Sequence, residues 1–275
     1  MNEAAIDMLA AKGSRDIVSY IVIAYAITWL ILFPLSIYYE NLSVETAEVW
    51  HAFGALGPAT SSIIVIYVWK GKKGLAELKE GVLKHSGVAN LIFALSPLIL
   101  FIITMIIESV IGTFSFDQFL QDNNLMSMSA VLFFFLPSLS YGIFEEIGWR
   151  GFLLPSLQRK YNALLATIVL TVVWALWHTP LFFYRYTMFS LSNPASLIAF
   201  FSLMLSGSIV LTSLFNNSKG SILMVILWHI TYDLVSSNRT GMATMIVSIA
   251  FVIIDLFVIV KYGIKSLSRE KRIAI

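Results

Sequence analysis

Five ionisable side chains lie where the surrounding sequence is almost wholly apolar: Glu145 and Glu146, His178, and His229 with Asp233. Placing such a group in hydrocarbon costs about 3 kcal/mol or more. Within Glu145-Glu146-Ile147-Gly148-Trp149-Arg150, Glu146 and Arg150 are four apart and share a helix face. Their pairing neutralises both charges. Glu145 is rotated by ~100° and has no such local partner, which suits a general base. Taken alone, the motif reads equally well as a salt-bridged kink made by both glutamates with Arg150.

His178 ends Trp174-Ala175-Leu176-Trp177-His178-Thr179-Pro180. Pro180 must disrupt the helix just beyond the histidine and free backbone groups there. On its own, a histidine between tryptophans is an ordinary core or interfacial residue. His229 and Asp233, in Trp228-His229-Ile230-Thr231-Tyr232-Asp233, are four apart and project from one face. Their plainer reading is an aspartate orienting a histidine. The joint occurrence of the three sets carries more weight. They are expected to converge on one polar cavity inside the bundle, where each satisfies another and where the function resides.

The elements that must position these groups are membrane helices. Of 275 residues, 58% are hydrophobic and only 12% charged, against roughly 25% charged in soluble domains. Apolar runs fall at about 17–39, 52–69, 88–112, 129–158, 162–184, 194–215, 221–237 and 241–262. The fold class is therefore all-α: a polytopic bundle of about eight transmembrane helices forming a single domain over 1–275. With the N-terminus inside, 16 of the 18 lysines and arginines fall on the inner side, and only Arg185 and Arg239 fall outside. Both termini are then cytoplasmic. Segment 70–87 is expected to be an amphipathic helix whose lysines meet anionic headgroups. His51 and His85 lie in or beside loops and read as ordinary, and Glu108 and Asp255 as paired or snorkelling. No cysteine is present, so thiolate chemistry is excluded. The net charge of +2 suggests no nucleic-acid partner.

The three motifs together resemble the CAAX-prenyl-protease and bacteriocin-immunity (CPBP, or Abi) group of intramembrane glutamic endopeptidases. That family's pattern is EExxxR, then FxxxH, then HxxxN, matched here by 145–150, 174–178 and 229–233. Gly57-Pro58 and the basic segment that follows are also similar, and the family-like core covers about 129–237. The resemblance implies that Glu145 with His178 activates a water. It implies that His229 and the residue four beyond it stabilise the oxyanion, and that Glu146 and Arg150 hold the architecture. Two positions depart from the pattern. Trp174 replaces the phenylalanine and is expected mainly to alter cavity shape as structural support. Asp233 replaces asparagine, and an ionised carboxylate cannot donate to an oxyanion. Asp233 is therefore expected to orient His229.

The reading is an intramembrane endopeptidase acting on a membrane-associated or lipidated, CAAX-like peptide, without a cofactor. The substrate approaches laterally or from the inner face, and the protein resides in a bacterial plasma membrane. Three alternatives remain open. Glu145, His178, His229 and Asp233 could form a zinc shell with an open position. Intramembrane carboxylates and histidines also serve proton relays and transporters. A bacteriocin-immunity role without proteolysis would survive loss of Glu145 and both histidines. Oligomeric state and natural substrate are not encoded in these motifs.

Overall fold

The computed structural model describes residues 3–123, 125–186, 191–237 and 241–275; Arg239 lies outside them. Twelve α-helices, and no strand, occur among these residues. In chain order they are α1 (Glu3–Tyr38), α2 (Val44–Gly54), α3 (Leu56–Leu83), α4 (Gly87–Ala94), α5 (Ser96–Val110) and α6 (Phe116–Asp122). There follow α7 (Met128–Gly148), α8 (Leu154–Lys160), α9 (Ala163–Trp177), α10 (Pro194–Asn217), α11 (Ile222–Ser237) and α12 (Gly241–Tyr262). A π-helical turn, Trp149–Leu153, joins α7 to α8, and a 3₁₀ turn, Thr179–Phe183, follows α9.

Every apolar run of the sequence is helical, but the helices differ in reach. Five segments are long and apolar enough to cross a membrane: 14–41, 44–83, 128–160, 194–217 and 245–262. The pair α4 and α5, bent by 57°, makes a sixth if counted as one broken span. The two other apolar helices, α9 and α11, have 15 and 16 residues, short of the ~20 that a full crossing requires. The chain is an integral membrane protein in which the two short apolar helices are α9, which leads into His178, and α11, which carries His229.

Local chemistry sets these limits. Asn162 caps α9 by accepting the Leu165 N–H at 2.9 Å. The helix stops at Trp177 because Pro180 cannot continue it. Ser221 Oγ accepts the Met224 N–H at 3.3 Å at the start of α11. Helix α3 kinks at Gly71, whose φ of 61° and ψ of −152° suit a residue with no Cβ. Beyond the kink Gly74 and Leu78 face inward while Lys72, Lys73 and Lys79 are exposed, the expected amphipathic arrangement.

Helix α7 packs against α2, α3 and α11, and α11 packs in turn against α4, α5 and α10. The α7 contacts are close. A Cβ on Gly148 would stand 2.4 Å from Pro58 Cβ and 2.6 Å from its carbonyl oxygen. A Cβ on Gly142 would stand 2.5 Å from the Ile230 side chain. The glutamate pair is thereby held between α3 and α11.

Candidate active site

Glu145 and Glu146 occupy the last turn of α7, with side chains 1% and 0% exposed. Arg150, on the π-helical turn, donates from Nη1 to Glu146 Oε1 at 2.7 Å, fully buried. The guanidinium lies over the Trp174 ring, 5.0 Å from its centroid. His229 places Nδ1 2.8 Å from the same Glu146 oxygen. A carboxylate oxygen ligated this way accepts, so the proton sits on Nδ1. One glutamate thus joins α7, the π-helical turn and α11 through a single oxygen.

Glu145 turns to other partners. Trp149 Nε1–H donates to Oε2 at 2.8 Å, and Trp174 Nε1–H donates to that same oxygen. The second oxygen, Oε1, stands 4.0 Å from His178 Nε2. His178 itself is fixed by Nδ1, 2.8 Å from the Trp174 carbonyl. A carbonyl only accepts, so Nδ1 carries the proton, and the lone pair of the neutral ring lies on Nε2. Helix α1 steadies this end of α9, because Trp29 Nε1 donates to the Trp177 carbonyl at 3.0 Å and Tyr25 donates to that of Val173. The Trp177 ring packs edge-on against both His178 and Trp149.

Asp233 lies one turn beyond His229, with Oδ2 3.6 Å from Nε2. It is the most open of the group, its side chain 26% exposed. Ser237, a further turn along the same face of α11, lines a cavity of about 510 Å³ together with Glu48 and Arg185. These two side chains are paired at 2.9 and 3.0 Å. The open end of the site lies toward the C-terminal end of α11, away from Lys219.

All seven residues expected from the sequence are brought together, although several contacts differ from those anticipated. Glu145 does have a local partner: Trp149, at the same four-residue spacing that pairs Glu146 with Arg150. Trp174 does more than shape the cavity, since its indole N–H holds the Glu145 carboxylate. His51, read as ordinary, is 3% exposed. Its Nδ1 is 2.7 Å from the Tyr184 hydroxyl and 3.2 Å from that of Tyr141, one turn before Glu145. A signal for it existed in the small residues Ala47 and Ala52, which mark its face of α2 as buried. Asp255 accepts a hydrogen bond from Ser206, consistent with the paired reading. Among the described residues, no group of three or more His, Asp and Glu side chains stands close enough to hold a metal ion.

This arrangement offers two inward-facing acceptors 4.0 Å apart beside an imidazole lodged between two carboxylates. It is suited to activating a water next to a cationic donor. Residues 127–235 match the family model for type II CAAX prenyl endopeptidases, Rce1-like. A curated relative, CAAX prenyl protease 2 of Methanococcus maripaludis, is 38% identical over 95 residues, covering 33% of this chain and 35% of that protein. The chain thus spans about a third of the length of the relative it matches. The segment holding the glutamate pair, both histidines and Asp233 is the part of the chain that is similar to the Rce1-like type II CAAX prenyl endopeptidases.

Proposed function

We propose that this protein hydrolyses a peptide bond near the end of a membrane-associated, lipidated polypeptide, using Glu145 as general base. The observation that carries this reading is the 4.0 Å separation of Glu145 Oε1 and His178 Nε2. One water can donate to both at ordinary hydrogen-bond length, ~2.8 Å, leaving a lone pair directed away from them. That lone pair attacks the scissile carbonyl carbon as a water proton passes to Glu145 Oε1. The carbonyl oxygen becomes an oxyanion, accepting from His229 Nε2–H. Collapse breaks the C–N bond, and Glu145 passes its proton to the departing amine.

The remaining contacts support this division of labour. Two indole donors occupy Glu145 Oε2, leaving Oε1 for the proton. Glu146 fixes His229 through Nδ1, so Nε2 faces outward beside Asp233. Asp233 orients and balances His229 rather than donating itself. The scheme assigns no step to a metal: Glu145 Oε1 takes the water proton, and His229, held by Glu146, faces the oxyanion. The protein named CAAX prenyl protease 2 supports a prenylated chain end as substrate. Approach is lateral, from the Asp233 end. Lysine and arginine placement supports cytoplasmic termini, and a bacterial plasma membrane is the proposed location.

The test is reconstituted protein with a farnesylated peptide ending in a CAAX sequence, and the same peptide without the lipid. Release of the terminal tripeptide from the lipidated peptide alone is expected, unaffected by dialysis against a strong chelator. Activity that is lost on chelation and restored by zinc would transfer the assignment to a metalloprotease. No release from a folded protein would return weight to immunity by binding or to transport.

A further inference from the structure

Several helix ends meet at the lysine-rich end of the bundle. The end of α3, the start of α4, and the ends of α10 and α12 surround a cavity of about 750 Å³. None of its residues belongs to the carboxylate–imidazole site. Its wall is apolar, with Phe93 from α4 and Ile254, Phe257 and Val258 from α12. Its rim carries Lys84, His85, Lys219 and Arg269.

The rim is built rather than loose. Lys84 Nζ donates to the Lys219 carbonyl at 2.7 Å, tying the end of α3 to the turn after α10. The Arg269 N–H donates to Asn217 Oδ1 at 3.0 Å, fixing that backbone over the end of α10 while its side chain stays exposed. His85 Nδ1 accepts the Gly87 N–H at 3.3 Å, which leaves its proton on Nε2 as a donor. Glu270 stands 3.6 Å from Lys219 and offsets part of its charge. Three cations against one carboxylate leave the mouth positive.

The wall opens along the outer surface of α12, where Phe257, Leu256 and Val260 are 51%, 61% and 84% exposed. In a membrane that surface meets acyl chains. A soluble phosphate would use the rim and leave the apolar wall without a partner. We infer that the cavity binds one anionic phospholipid, its phosphate at Lys219, Arg269 and His85 and an acyl chain along Phe93, Ile254 and Phe257. Such a lipid would fasten the ends of α3, α10 and α12 to one another.

The experiment is native mass spectrometry of the detergent-purified chain titrated with phosphatidylglycerol or phosphatidylcholine of matched acyl chains. One phosphatidylglycerol is expected to bind at least about tenfold more tightly than phosphatidylcholine. The double variant Lys219→Gln/Arg269→Gln should weaken it by about 30-fold. Ala89→Phe, which fills the cavity without removing a charge, should also weaken it, so the result does not rest on one variant. Glycerol phosphate at equal concentration should not compete. Equal retention of the two lipids, unchanged binding by the variants, or full competition by glycerol phosphate would each overturn the assignment. The readout involves no peptide hydrolysis, so it stands or falls separately from the proposed activity.

Discussion

At the scale of single residues, the two adjacent glutamates are separated by their donors. Glu146 receives a guanidinium and an imidazole on one oxygen, whereas Glu145 receives two indoles on one oxygen and keeps the other free. Glu145→Gln is therefore expected to lower kcat by about 10²–10⁴-fold with the fold intact, read by peptide release at equal protein levels. Trp149→Phe removes one donor to Oε2 while keeping an aromatic ring in place. It should reduce kcat by about tenfold with KM little changed, and an unchanged kcat would remove the indole from the account. Asp233→Asn should retain activity, because an amide still positions His229; an inactive, well-folded Asn variant would count against that role. The Glu146–Arg150 pair was legible from spacing alone. The Trp149 contact has the same spacing, but an indole N–H carries no formal charge to mark it as a carboxylate partner.

At the scale of elements, the site depends on close approach between helices. The π-helical turn after α7 displaces Arg150 enough to lie over Trp174 while still reaching Glu146. Arg150→Ala leaves Glu146 buried beside a histidine without its principal cation, a loss of about 3–5 kcal/mol. Gly148→Ala forces a methyl into Pro58 and its backbone, a loss of about 1–3 kcal/mol. Both effects should appear as lower midpoints of thermal unfolding in detergent, and a wild-type midpoint for Gly148→Ala would mean that α3 and α7 can part without cost. Hydropathy located all the apolar segments, yet it could not set their lengths. The ends of α9 and α11 are decided by Asn162, Pro180 and Ser221, and a run such as 162–184 hides a 3₁₀ turn after Trp177. The small residues around His51 mark its face of α2, but its partners, Tyr141 and Tyr184, come from distant positions that only the folded chain brings together.

At the scale of the whole molecule, the bundle has two chemically distinct ends. One gathers the ends of α3, α8, α10 and α12 with their lysines and arginines, and the other carries Glu45, Glu48, Asp117 and Asp122. If membrane charge sets orientation, these ends face opposite compartments. The chain has no cysteine, so single reporters can be placed freely. Lys271→Cys is expected to be modified by an impermeant thiol reagent only after cells are opened, and Glu40→Cys in intact cells. The reverse pattern would invert the topology and place the Asp233 end in the cytoplasm. The most direct test of the central claim compares protein termini in membranes holding the native chain with those holding Glu145→Gln at equal levels. New carboxyl and amino termini that appear only with Glu145 present would establish hydrolysis and name the substrate. Identical termini from two well-folded proteins would contradict the assignment of Glu145 as a proteolytic base.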